Sequence, residues 1–229
     1  LKERLTAEKI PFEAGSVGVD DADWNENWKK YFKPFPVGKN LCVKPTWEQL
    51  PEALADKTVI EIDPSSSFGT GSHTTTRLCL EMVEKYMEKM NGDETYVLDM
   101  GCGTAVLAIL AAKMKAAKVY GIDIDAIAAI SAYDNARINK VGTRIETCCG
   151  DASLLQRNTY DVILANINRN ILLQDIPTYS LCLHKDGLLF VSGFYLEDMP
   201  MIIGMAQNSG LTYVSHDSID NWCCIKFRK

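Results

Sequence analysis

Apolar residues along this chain follow two spacings in turn. From Thr58 onward, short apolar runs of strand type give way to stretches with helical spacing. The strand-type runs are "TVIEID" (58–63), "YVLDM" (96–100), "KVYGIDID" (118–125), "RIETCCGD" (144–151), "YDVILANI" (160–167) and "GLLFVSGF" (187–194). Between the first two, Leu78, Met82, Tyr86 and Met90 predict a helix over 73–90, with Asn91-Gly92 as its stop. "AVLAILAAKMKA" (105–116) and "AIAAISAYDNARINK" (126–140) predict two more helices, and helical spacing returns at about 169–182 and 196–208. The tail, "LTYVSHDSIDNWCCIKFRK", reads as two strands with no helix between them. Repeated strand–helix–strand units predict an α/β fold: a mostly parallel sheet with helices on both faces and a C-terminal antiparallel hairpin.

Residues 1–57 have a different texture. They hold Trp24, Trp28 and Trp47, and Pro34, Pro36, Pro45 and Pro51 forbid long helices. This segment predicts an irregular, aromatic-anchored linker with one short strand at Lys39 to Lys44, its tryptophans packing on the main domain. The domain boundary is therefore expected between Lys57 and Thr58, with the main domain over 58–229. The first residue is Leu1 rather than Met, which suggests a fragment or a processed product.

Charge and cysteine content narrow the class. A net charge of −6 argues against a large phosphate-binding surface and suits a basic protein partner. No apolar run is long enough to span a membrane and no secretory leader opens the chain, so a cytoplasmic, monomeric protein is expected. None of the eight cysteines forms a C-x-x-C pair and only three histidines are present, which leaves no metal reading. The cysteines are expected to be reduced, buried apolar residues.

The candidate chemistry begins at "VLDMGCGTAVLAIL". Asp99 ends a strand, and Gly101 and Gly103 form the turn before a helix, where glycine lets the backbone approach a ligand. Asp123 ends the next strand, placed to accept hydrogen bonds from both hydroxyls of a ribose. A dinucleotide site would want a third glycine where Val106 stands. Asp99 is also a poor neighbour for a pyrophosphate and a good one for an amine. S-adenosylmethionine, which has no phosphate and carries an ammonium and a sulfonium, fits this set. Asp151, after the third strand of that series, lies where an adenine amino group could be bound. Asn166 closes the fourth strand on the crevice side. Its carbonyl can accept an N–H from an amine that must be neutral and aligned before it attacks a methyl carbon.

Four stretches resemble the ribosomal protein L-eleven methyltransferase family, a class I S-adenosylmethionine-dependent group, which implies a Rossmann-like fold with a mostly parallel seven-stranded sheet. They are "DWNENWKKYFKPFPVGKNLCVKPTW", "FGTGSHTTTRLCL", "VLDMGCGTAVLAILAAK…GIDID", and "VILANI" with "WCCIKFRK". The second is the most specific to the family. The resemblance implies a donor site using Thr76, Gly101, Asp123 and Asn166, with Phe68, Gly69, Thr70 and Gly71 in a loop beside the cofactor. It implies methylation of lysine ε-amines, and of an N-terminal α-amine, on a large-subunit ribosomal protein, with no direct nucleic-acid binding. It also implies that residues 1–57 retain only a remnant of an N-terminal substrate-recognition domain. The chain departs from the family at Ala105, where relatives commonly carry another glycine.

Three rivals remain at this level: methyl transfer to another protein or a small amine, a nicotinamide-dependent oxidoreductase, and a cofactor-binding fold kept as an interaction module, against which the intact Asp99, Asp123 and Asn166 count. In "FGTGSHTTTR", Ser72 or a threonine is the expected helix cap, and His73 is expected to be structural rather than a catalytic base.

Overall fold

The computed structural model describes residues 28–64, 69–87, 94–157 and 159–229. Pro34–Lys229 forms one compact unit and Leu1–Lys33 another. Of the latter, the described part is a single 3-10 turn at Trp28–Lys30 and the three residues that follow. Trp24 lies outside the described residues.

The main unit contains β4 (Tyr96–Met100), β5 (Lys118–Asp123), β6 (Ile145–Cys149), β7 (Tyr160–Asn166), β8 (Leu183–Tyr195), β9 (Thr212–Ile219) and β10 (Trp222–Arg228). These make one seven-stranded sheet in the order β6-β5-β4-β7-β8-β10-β9. β10 runs antiparallel to both β8 and β9, while the remaining pairs are parallel. The chain leaves β4 towards β5 and β6, then returns to the other side of β4 at β7. Crevices that bind ligands form at such reversals, beyond the carboxyl ends of the strands. The central strands are almost uniformly buried, which explains their continuous apolar runs. β6 is the outer strand, and there Cys148 and Cys149 are exposed. The expectation that every cysteine is buried fails at these two positions, because an edge strand has less cover.

The helices are α1 (Thr74–Met87), α2 (Val106–Lys113), α3 (Ala126–Ile138), α4 (Arg169–Cys182) and α5 (Met199–Asn208). α1 packs on α2, α2 touches α3, and α4 packs on α5. α2 is buried from Val106 through Ala112, since the large sheet and a second small sheet both cover it. The expected stop of α1 at Asn91-Gly92 lies outside the described residues.

The small sheet holds β1 (Phe35–Val37), β2 (Leu41–Pro45) and β3 (Thr58–Ile62). The run at 58–63 is thus a strand, but it opens a different sheet from the strands that follow. β2 and β3 pair in parallel from Leu41 and Thr58 to Pro45 and Ile62, so the boundary expected at Lys57/Thr58 runs between two strands of one sheet. The other edge of β3 is closed by two side chains of α3 and the turn after it. The Asn139 amide accepts from the Glu61 N–H at 2.9 Å and donates to the Glu61 carbonyl at 2.6 Å. Asn135 repeats the pattern on Asp63 at 2.8 and 3.0 Å. Two carboxamides one helical turn apart therefore stand in for a neighbouring strand.

Candidate active site

The turn after β4 is built by backbone geometry. Gly101 has φ +67°, and a Cβ there would lie 2.3 Å from Cγ2 of Ile167. Only glycine permits both the turn and this approach. The N–H groups of Gly101 and Cys102 both donate to the Ile122 carbonyl, at 2.8 and 3.1 Å, which ties the turn to β5. Thr104, fully buried, donates its hydroxyl to the Gly69 carbonyl at 2.6 Å and fixes the upstream loop on this turn.

Ala105 precedes α2 with φ +64° and offers no side-chain cap. Asp99 supplies one from β4: its carboxylate accepts from the Ala108 N–H at 2.9 Å. Asp99 is 1% exposed. Burial pushes its carboxyl up to about 7, the Ala108 N–H pulls the other way, and the nearby Asp123 charge adds to the rise. Asp123 accepts from the Gly103 N–H at 2.9 Å through one oxygen and from the Asp125 N–H at 3.0 Å through the other. Each oxygen keeps a further lone pair for a hydroxyl donor.

A cavity of about 280 Å³ opens over this turn. The structure brings Gly69, Thr76, Asp99, Gly101, Gly103, Asp123, Asp151 and Asn166 to its wall. Thr70 is not on that wall: its hydroxyl pairs with that of Ser72 at 2.8 Å and closes a local turn. Phe68 lies outside the described residues. Asp151 caps a 3-10 turn by accepting from the Ser153 N–H at 2.9 Å, and hydrogen bonds from the Ser153 side chain and backbone hold its carboxyl below the usual range.

Asn166 stands at the end of β7, where its Nδ2 donates to Oγ1 of the buried Thr76 at 3.2 Å. That bond fixes the carboxamide and leaves Oδ1 without a partner among the described residues. Cys102 also lines the cavity, but burial, with Asp99 and Asp123 adding, pushes its thiol far up and removes it as a nucleophile.

The wall contains four carboxylates, Asp99, Asp123, Asp151 and Asp175, and no Lys, Arg or His among the described residues. The α2 N-terminus, where a pyrophosphate would be expected, is already taken by Asp99. This donor-poor, acceptor-rich set fits a cationic cofactor with a ribose and does not fit a dinucleotide. Ile124, Ile167, Ile171 and Asp175 also line the wall and went unmarked in the sequence. Ile124 is 78% exposed directly after Asp123, and an exposed isoleucine cannot be told from a buried one by its letter. Burial raises the Asp175 carboxyl, although the Tyr179 hydroxyl donates to it at 3.3 Å and opposes that shift.

The helix cap of α1 corrects an expectation. His73, not Ser72 or a threonine, holds that place: its Nδ1 accepts from the Thr75 N–H at 3.3 Å and faces the Thr75 hydroxyl at 2.9 Å. The Ser72 hydroxyl is engaged with Thr70 instead.

Comparison with known proteins places these features in context. A family model described as ribosomal protein L11 methyltransferase (PrmA) matches residues 2–229. The ribosomal protein L11 methyltransferase of Bacteroides fragilis is 42% identical over 213 residues, covering 91% of this chain and 73% of its own length. That of Phocaeicola vulgatus is 40% identical over 212 residues, with the same coverage. A crystal structure of the ribosomal protein L11 methylase from Lactobacillus delbrueckii subsp. bulgaricus superposes with a TM-score of 0.78 at 28% identity, covering 86% of this chain and 100% of that one.

Proposed function

The chain belongs to the ribosomal protein L11 methyltransferase family of S-adenosylmethionine-dependent enzymes, and from that premise we propose that it methylates lysine ε-amines, and an N-terminal α-amine, of ribosomal protein L11. The observation that carries the reading is the Asn166 carbonyl, without a partner among the described residues, at the edge of a cleft lined by four acids and no basic residue among those described. We read the enzyme as a cytoplasmic monomer; no described helix is long and apolar enough to cross a membrane. The residues ahead of the compact unit are read as the remainder of a substrate-recognition domain and its linker.

The bound cofactor supplies an electrophilic methyl group on a sulfonium. The protein's part is to hold, orient and exclude water. Asp99 would hold the methionyl ammonium and Asp123 the ribose hydroxyls. An acceptor lysine has an ordinary pKa of about 10.4 and must lose a proton before it can attack. The ammonium gives that proton to bulk water at the mouth of the cleft, and the sulfonium charge of a bound cofactor would favour the neutral amine against the pull of the wall carboxylates. Asn166 Oδ1 then accepts one of the remaining N–H bonds and turns the nitrogen lone pair towards the methyl group. The Nδ2 bond to the Thr76 hydroxyl holds the carboxamide in place. Alignment, rather than strong base catalysis, provides the rate.

The test is methyl transfer from labelled S-adenosylmethionine to purified ribosomal protein L11, with modified residues located by mass spectrometry. Binding of S-adenosylhomocysteine with no methyl on that protein would sink the substrate assignment. Binding of NAD in place of S-adenosylhomocysteine would sink the methyltransferase reading.

A further inference from the structure

A second cavity, of about 440 Å³, begins where the cofactor cleft ends. The chain lines the cleft through Asn166 and Ile167 and lines this cavity from Asn168 to Asn170. Gly193, on its wall, packs against the Ile167 peptide so closely that an added Cβ would sit 2.4 Å from the carbonyl oxygen. One substrate molecule lying across the end of β7 would therefore meet both cavities.

Two aromatic rings stand in this second cavity. Tyr195, at the end of β8, and Trp222, at the start of β10, are cross-strand partners. Their rings are 4.1 Å apart and tilted by 37°. His73 meets the indole edge-on at 5.2 Å and steadies it from the α1 side. Tyr195 remains 41% exposed. The charges beside the rings do not cancel. Arg169 and Asp198 pair at 2.7 Å, while the exposed Glu197 has no partner among the described residues. The exposed Tyr195 ring beside an unpaired carboxylate attracts a cation, and a net charge of −6 favours the approach of a basic surface.

We propose that this cavity is a subsite for a cationic side chain, a lysine or arginine that flanks the acceptor amine on the protein substrate. The inference rests on the reading above that the substrate is a protein, and it assigns Tyr195, Trp222 and Glu197 to substrate selection rather than to chemistry.

Two measurements test it. In the first, acetylated Lys-Gly-Lys amide is titrated into the chain and the Trp222 indole N–H is followed by NMR, assigned by its loss in Trp222→Phe. The lysine peptide moves that signal, its norleucine analogue does not, and Glu197→Gln weakens the response about two- to fivefold at low salt. Equal movement by both peptides, or none, overturns the subsite whatever the activity. In the second, Glu197→Gln raises KM for ribosomal protein L11 about two- to fivefold, and the loss falls on KM rather than kcat. An unchanged KM also overturns the subsite. If the peptide moves Trp222 but the unmodified chain transfers no methyl to ribosomal protein L11, the proposed function fails and the subsite stands.

Discussion

Asp99 makes stability depend on pH in an unusual direction, and Asp99→Asn isolates the effect. Its carboxyl ionises at 3.8 in an unfolded chain and at about 7 in the folded one. Between those values the folded state holds a proton that the unfolded state has released. Stability from this group is therefore complete below about pH 4 and is lost as pH rises towards 7. At about 1.4 kcal/mol per pH unit the loss totals about 4 kcal/mol. Other carboxylates titrate in the same range, so the quantity to measure is a difference. Denaturant unfolding of the unmodified chain and of Asp99→Asn, at each pH from 4 to 8, gives two curves. Subtracting the variant's leaves a line falling by about 1.4 kcal/mol per pH unit up to about pH 7, then flat. The carboxamide introduced by the substitution can still accept from the Ala108 N–H through its carbonyl, so the cap survives. A difference that stays constant from pH 4 to 7, or that rises, would show that Asp99 ionises normally and would refute the burial argument.

The same carboxylate has to be charged to hold an ammonium, so S-adenosylhomocysteine binding should release protons near pH 7, detected by calorimetry in buffers of differing ionisation enthalpy, and the release should vanish in Asp99→Asn. Asp123→Ala should weaken S-adenosylhomocysteine binding by about 1.5–3 kcal/mol in the same titrations. Asn166→Ala should leave that binding nearly intact and lower turnover by about ten- to a hundredfold, corresponding to the same range of energy; unchanged turnover would mean that the amine is held elsewhere. Gly193→Ala, with φ +96° and a Cβ 2.4 Å from the Ile167 carbonyl oxygen, should cost at least about 2 kcal/mol of unfolding stability. Gly204→Ala, inside α5 with nothing within 4 Å, should add about 0.5–1 kcal/mol in the same assay.

The parts of this molecule that were legible in the sequence are those fixed by local pattern. Strand–helix alternation pointed to a mostly parallel sheet, and the position of each polar residue relative to its strand end brought Asp99, Asp123 and Asn166 to one cleft. What stayed hidden depends on contacts between distant residues. β3 looks in sequence like the first strand of the alternation. Its separate allegiance is decided by β2 on one side and by Asn135 and Asn139 on the other, 72 and 78 positions away. The two asparagines, at helical spacing, carry no sign of a partner strand. His73 was hidden for another reason: an imidazole can cap a helix through Nδ1, but the cap preferences that guide a reading favour the hydroxyls beside it.

Ala105 shows how one departure from the family can be absorbed. The left-handed backbone there, φ +64°, costs a residue with a Cβ about 1–2 kcal/mol relative to glycine. Two effects oppose that cost. The Ala105 methyl is fully buried, and a buried carbon of this size contributes about 0.8 kcal/mol. Alanine also has less conformational freedom to lose on folding than glycine, by about 0.4–1 kcal/mol. The two sides balance to within about 1 kcal/mol, so Ala105→Gly should move unfolding stability by no more than that. The helix start does not depend on the residue chosen, because Asp99 caps it from β4. The acid proposed to meet the cofactor's ammonium thus also holds the turn that shapes the cavity. A loss of more than about 2 kcal/mol in Ala105→Gly would place the methyl, rather than the Asp99 cap, at the centre of the turn's stability.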